Sequence, residues 1–403
     1  MYDAIVIGAR CAGSPTAMLL ARKGYRVLLV DRATFPSDIM STHYIQQTGA
    51  ATLRRWGLLE RLIATDCPPI KRFALDFGEF WLTGSAPPAD GETAGYGPRR
   101  KVIDTLLVDA AVEAGAEMRE AFTVQDLVWD GDRVAGIRGH SQGGATITER
   151  ARVVIGADGL HSLVARLVKA PSYQEKPAIA CAYYSYWSGV PVEDFEIHLR
   201  RHRASWCIPT NDGLTMIGVG WPHSEFAVYR SNIEGNYLGT IEMAPDLAER
   251  VHAGRREERF VGTADLPNFF RKPYGPGWAL VGDAGYHKDP TTAQGMSDAF
   301  RDAESLAEAL DAGFTGRAAL DEALAEYEQQ RNKVSLPMYE YTCQFATLDP
   351  PPETLHLLRV LRDNPHEADR FIGTIVGTVS IPEFFAPEHL AQIMQPQASE
   401  SVL

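Results

Sequence analysis

The chain opens on four consecutive apolar residues, Ala4-Ile5-Val6-Ile7, then turns small and polar at Gly8-Ala9-Arg10-Cys11-Ala12-Gly13. A short unbroken apolar run of this kind marks a strand buried on both faces. Beyond the glycines the period becomes that of a helix. Ala17, Leu20 and Ala21 share one face, Pro15 is tolerated in the first turn, and Gly24 is placed to end it. Val27-Leu28-Leu29-Val30 is a second buried strand, with Asp31 at its carboxyl end. The pattern predicts strand, glycine loop, helix and strand as one βαβ unit.

Further along, Asp104 to Ala114 reads as a helix with Leu107, Ala110, Ala111 and Ala114 on one face, Asp104 as its cap and Gly115 as its stop. Strands are predicted over Val124 to Val128 and Val134 to Ile137, joined by a turn at Asp130-Gly131-Asp132. Val153-Val154-Ile155-Gly156 is another buried strand, running into the polar turn Ala157-Asp158-Gly159 with Ser162 and Arg166 beyond it. From about Ala178 to Trp221 the texture becomes alternating and aromatic. Strands over Ala180 to Tyr186, Glu196 to Leu199, Ser205 to Ile208 and Thr215 to Val219 imply an antiparallel sheet. Trp278-Ala279-Leu280-Val281-Gly282-Asp283 returns to the buried-strand pattern. A helix follows, carrying Met296, Ala299, Phe300, Ala303, Leu306, Ala307 and Leu310 and ending at Gly313. From about Leu320 the chain is mostly helical, broken at Pro350-Pro351-Pro352.

Composition narrows the function classes. In 403 residues, 52 acidic side chains exceed 39 basic ones, a net charge of −13. That excess counts against nucleic-acid binding, which clusters lysine and arginine. Five scattered cysteines with no CxxC pair argue against a disulfide framework or a zinc finger, and no His or carboxylate spacing suggests a metal ligand set. No metal is expected. No apolar run reaches 18 residues, so no membrane span is expected, and the charged N-terminus does not read as a signal peptide. The expectation is a cytoplasmic protein, monomer or homodimer.

The first unit has a dinucleotide's chemistry. Gly8 permits a tight turn, Gly13 lets the helix pack close, and the helix start offers free N–H groups and a positive dipole end to a pyrophosphate. Asp31 can accept hydrogen bonds from a ribose. Arg10 replaces the middle glycine of G-x-G-x-x-G, and its guanidinium either pairs with phosphate or points to solvent.

Three motifs together, the glycine loop, Ala157-Asp158-Gly159 with Ser162 and Arg166, and Gly282-Asp283-Ala284 with Asp289-Pro290 and Gly295-Met296, resemble those of the FAD-dependent aromatic hydroxylases related to p-hydroxybenzoate hydroxylase. The geranylgeranyl reductases and flavin-dependent halogenases are their cousins. The resemblance covers roughly residues 1–330. It implies a mixed α/β fold: a Rossmann-like FAD-binding domain with a parallel sheet (1–70, 100–177 and 265–330), an antiparallel-sheet substrate domain (71–99 and 178–264), and a C-terminal helical region (331–403). It implies FAD as cofactor, NADPH or NADH as reductant, dioxygen, and an aromatic or polycyclic substrate oxygenated through a flavin C4a-hydroperoxide. Gly8, Arg10, Cys11, Ala12, Gly13, Asp31 and Arg32 are the candidates for the adenosine end, with Val124, Asp158 and Gly159. Gly282, Asp283, Pro290, Gly295 and Met296 are those for the flavin end. Arg100 matches a family arginine near the flavin, with Arg99 as its competitor.

The departures from the family pattern also bear on function. Gly285-Tyr286-His287 and Asp289-Pro290-Thr291-Thr292 stand where hydroxylases carry another run, and Asp289-Pro290 is closer to the reductase and halogenase branch. Of the halogenase W-x-W-x-I-P segment, Trp206-Cys207-Ile208-Pro209 keeps the second half. Lys71 is the nearest candidate for the halogenase lysine. Catalytic candidates are His43, His287 and Pro290. His43 reads as a proton relay or as a capped or solvent-facing residue, His287 as a flavin-side acid or base or as a loop residue. Tyr184, Tyr186 and Trp206 are the candidate substrate walls, with Tyr183 and Trp187 sharing their segment. Cys11 reads as packing under the loop, and Glu257-Glu258 beside Arg255-Arg256 as a solvated surface. The competing activities are a carbon–carbon double-bond reductase, a halogenase, and a non-catalytic flavin binder.

Overall fold

The computed structural model describes residues 1–141 and 143–395. Its fold is mixed α/β, built on two large sheets. In the first, Tyr2–Ile7 lies at the centre, parallel to Val27–Val30 on one side and Ile147–Gly156 on the other. Glu117–Arg119 and Trp278–Leu280 extend it in parallel at either end. Helices Gly13–Arg22, Arg100–Glu113 and Gly295–Phe314 cover one face, where Ala17, Leu20, Ile103, Leu107, Phe300 and Leu306 form a common core. The hairpin Phe122–Asp130 and Arg133–Ser141 covers the other face with Val164 and Ala165. Helices or a hairpin over both faces explain why these strands read as unbroken apolar runs.

The second sheet runs Arg255–Arg256, Ala180–Ser188, Thr215–Pro222, Arg203–Pro209, Phe195–Arg200, Phe73–Asp76, Trp81–Gly84. All its neighbours are antiparallel except Phe195–Arg200 with Phe73–Asp76. One face carries Tyr184, Tyr186, Ile208 and Met216, packed with Phe371 and Ile372 of the helix Pro365–Val376. The opposite face carries Tyr183, Trp187, Cys207 and Val219 beneath helices Phe226–Ser231, Ile233–Ile241 and Pro245–Ala253.

Two expectations change. The helix placed at Asp104 begins at Arg100, so Asp104 is buried one turn inside it and caps nothing. The helix Leu320–Phe345 runs through residue 330, so the border drawn at 331 falls within one continuous helix. Residues 396–403 of that expected region lie outside the described ones. Among the described residues, no helix is long and apolar enough to cross a membrane.

Candidate functional site

The three motifs meet at the carboxyl ends of the parallel strands. Gly8 adopts φ +101°, and a Cβ there would stand 2.4 Å from the Ala157 carbonyl oxygen. A Cβ on Gly13 would stand 1.7 Å from the Gly8 carbonyl oxygen, so only glycine lets the helix start this close to the loop. Gly282 presses on the loop from the third motif, where a Cβ would stand 2.7 Å from that of Ala12. Asp31 accepts from the Ala9 N–H at 2.7 Å and the Ala33 N–H at 2.8 Å, which pins the loop to the second strand. Asp158 accepts from the Ser162 hydroxyl at 2.5 Å and the Leu163 N–H at 2.7 Å, holding its own turn. Burial raises the Asp158 carboxyl above the ordinary range despite these donors.

Two arginines converge behind the loop. Arg10 pairs with Asp104 at 2.5 Å and donates to the Ser37 hydroxyl at 2.9 Å. Arg100 donates twice to the other Asp104 oxygen, at 2.9 and 3.1 Å. The Cys11 thiol donates to the same oxygen at 3.3 Å, and burial pushes its pKa up to about 12, so it stays a neutral thiol. Despite its burial, Cys11, Asp104 and, more weakly, Asp283 hold the Arg100 guanidinium above its ordinary range.

At the other end of the cleft, Asp283 and Gly295 are exposed while Gly282, Ala284 and Met296 are buried around them. The helix starting at Gly295 has no side-chain cap, which leaves its first N–H groups for a ligand. A small cavity lined by Gly282, Asp283, Gly295 and Ala299 opens there, backed by Lys288 and Asp298. Lys288 and Asp298 form a buried ion pair, joined by Arg301 at 2.8 Å and by the Tyr286 hydroxyl at 2.9 Å. Burial alone would depress the Lys288 ammonium, yet Asp298 holds it above its usual range.

Beside the cleft stands an aromatic group. His43 is fully buried at φ +55°, with Nε2 against the Tyr186 hydroxyl and Nδ1 unpartnered. Burial first, then the Arg100 charge, lowers its pKa to about 3, so the imidazole is neutral. Tyr184 meets His43 edge-on at 5.6 Å. The Arg99 guanidinium lies 3.8 Å over the Tyr186 ring and is gripped by Asp38 at 2.5 Å and Glu258 at 2.7 Å.

This arrangement fits FAD. The glycine cradle and the Gly13 helix start would hold the pyrophosphate, Asp31 the adenosine ribose, Asp283 the ribityl chain, and the Gly295 helix start the flavin ring. The sequence signature of the FAD binding domain family spans residues 1–341. The chain belongs to this family. It is an FAD-dependent oxidoreductase. Digeranylgeranylglycerophospholipid reductase 2 of Methanopyrus kandleri is 29% identical over 312 residues, 73% of this chain and 73% of that protein. Among solved structures, the flavin-dependent brominase Bmp2 superposes with TM-score 0.80 and 21% identity over 97% of each chain. The Pseudomonas aeruginosa protein PqsL, in complex with 2-aminobenzoylacetate, superposes with TM-score 0.74 and 23% identity over 86% of this chain and 96% of its own.

In this flavoprotein the candidate residues sort by neighbourhood. Gly282, Asp283 and Gly295 line one cavity, Met296 is buried next to Gly295, and Gly8, Ala12 and Gly13 form the loop on which Gly282 presses. Arg10 is half-buried, with the buried Asp104 carboxylate as its counter-ion. Arg100 is held by Asp104 behind the loop and also acts on His43, while Arg99 lies over the Tyr186 ring. His43 does not face solvent: its backbone N–H is capped by the Ser41 hydroxyl at 3.1 Å and its Nε2 by the Tyr186 hydroxyl. His287 donates from Nδ1 to the Pro267 carbonyl oxygen at 2.5 Å and stacks on Phe269. Pro290 opens a 3₁₀ turn capped by Asp289. Arg32 is exposed beyond Asp31, and Val124 is half-buried against the hairpin core. Tyr184, Tyr186 and Trp206 share one sheet face, while Tyr183 and Trp187 sit on the other. Lys71 is exposed. Glu257 and Glu258 lie exposed as the solvated-surface reading expects, and one Glu258 carboxylate oxygen also reaches the buried Arg99 at 2.7 Å.

The sequence reading missed Asp104 as a counter-ion and the Lys288–Asp298 pair. Two arginines and a cysteine that all need one acceptor were the available signal for the first. Lys288, flanked by His287 and Asp289, carries no pattern of its own.

Proposed function

We propose that the protein is a monooxygenase that oxygenates an aromatic or polycyclic small molecule, with NADH or NADPH as reductant and dioxygen as oxidant. The observation that carries this reading is the wall of Tyr184, Tyr186 and Trp206 with neutral His43 docked on Tyr186. Flat apolar substrates stack on such a wall, and its burial keeps water from the reacting atom. Bound FAD supplies the redox and dioxygen chemistry. The residues supply position. The unpartnered Nδ1 of His43 holds a polar substituent of the substrate, and Tyr186, linked to Nε2, passes a proton along that pair. Burial holds the Tyr186 phenol well above its ordinary range, so it stays a neutral hydroxyl, and the Arg99 charge over the ring offsets only part of that rise. The test is NAD(P)H consumption stimulated by candidate phenols and polycycles, with labelled dioxygen traced into the product. Turnover that saturates the substrate and leaves it unlabelled overturns the proposal.

A reductase of carbon–carbon double bonds is the second reading. It is favoured by the 29% identical archaeal relative and by Asp289, whose buried carboxyl is raised above the ordinary range and so can donate a proton.

A further inference from the structure

On the face of the antiparallel sheet turned away from the aromatic wall, three side chains of ligand type meet. Glu196 and His198 are two apart on the strand Phe195–Arg200 and share a face. Cys207 is the cross-strand partner of Glu196 on Arg203–Pro209. One donor atom from each lies within 4.8 Å of the others. His198 is 2% exposed and Cys207 fully buried. The Nδ1 of His198 faces Asp76 at 3.0 Å, which assigns the proton to Nδ1 and leaves the lone pair on Nε2. Nε2 makes no hydrogen bond, although a Glu196 oxygen lies 3.5 Å away. A buried imidazole with a carboxylate on one nitrogen and an unmatched lone pair on the other is the arrangement that metal-binding histidines use.

We propose that Glu196, His198 and Cys207 form a structural site for a divalent cation of the zinc class, with Asp76 orienting the imidazole. Sulfur, imidazole nitrogen and carboxylate oxygen together select zinc or cobalt over magnesium or calcium. Ligand bonds of about 2.0 to 2.3 Å place tetrahedral donors roughly 3.5 Å apart, which small side-chain rotations reach from the present spacing. The fourth position is left for water. Arg250 donates to both Glu196 oxygens at 2.5 and 3.1 Å, and Arg200 to Asp76 at 2.8 Å. Each carboxylate oxygen keeps a second lone pair beside its arginine partner. On binding, Cys207 loses its proton to solvent and the thiolate bonds the cation. The cation then clamps two neighbouring strands under the helix Pro245–Ala253.

The flavoprotein, produced with zinc in the medium and passed through gel filtration, is analysed by elemental mass spectrometry. About one zinc per chain is expected, falling to about a tenth or less in Cys207→Ser with bound FAD unchanged. Replacing zinc by cobalt is expected to give thiolate-to-cobalt charge-transfer absorption, seen as a difference from Cys207→Ser. Asp76→Asn is expected to weaken cobalt binding about 10–100-fold. Wild-type protein that carries no zinc and shows no cobalt absorption overturns the proposal, whether or not the serine variant folds. Equal zinc in wild type and Cys207→Ser overturns it too.

Discussion

Single residues decide whether the nucleotide cleft exists. Gly13→Ala puts a methyl group where the Gly8 carbonyl oxygen stands, so the variant is expected to purify without bound FAD, read from its visible spectrum. His43 acts on stability through its charge. In the fold its pKa is about 3, against an ordinary 6.5 in the unfolded chain. Between those values the unfolded chain binds the extra proton, so stability rises with pH across that window and is whole above it. As pH falls from 6.5 toward 3, the loss is up to about 1.4 kcal/mol per pH unit. His43→Gln is therefore expected to flatten the acid limb of a denaturation series. Parallel limbs for wild type and variant would contradict a buried neutral imidazole. The sequence placed His43 near the flavin end but could not show its burial, which depends on Tyr184 and Tyr186, about 140 positions away.

Among elements, the helix Arg100–Glu113 is the hinge of the charge arrangement. Its Asp104 serves Arg10 from the loop and Arg100 from its own first turn, both within hydrogen-bond distance. Removing one member of a buried ion group costs about 3–5 kcal/mol, so Asp104→Asn is expected to lower stability by that order in chemical denaturation and to loosen FAD. A loss near zero would mean that the arginines find other acceptors. Buried strands such as Ala4 to Ile7 were legible because apolar runs record burial on both faces. The role of Asp104 was not, because an aspartate ahead of an apolar face suits a helix cap equally well. Cross-strand neighbours such as Glu196 and Cys207 were hidden for a different reason: alternation along one strand does not reveal its register with the next.

At the scale of the whole molecule, the C-terminal helices pack on the face of the antiparallel sheet that carries the aromatic wall. Phe371 and Ile372 share a core with Tyr184 and Tyr186, the Asp369 carboxylate accepts from the Ser85 N–H at 2.7 Å, and Gln294 donates to the Ile375 carbonyl at 2.5 Å beside the flavin-end helix. Phe371→Ala is expected to cost about 3–5 kcal/mol in denaturant unfolding, a large part of a domain's net stability. The architecture of parallel sheet, antiparallel sheet and helices was readable from changes in periodicity. The packing of the last helices on the aromatic wall was not, since their apolar faces name no partner. The closure of the cradle carries a consequence for folding. Ala157 and Gly282, which wall its glycine loop, lie about 150 and 270 residues further along the chain. The first two parallel strands can therefore pair early, while the coenzyme cradle is complete only once the Gly282 segment has joined them, which makes its closure a late, long-range step of folding.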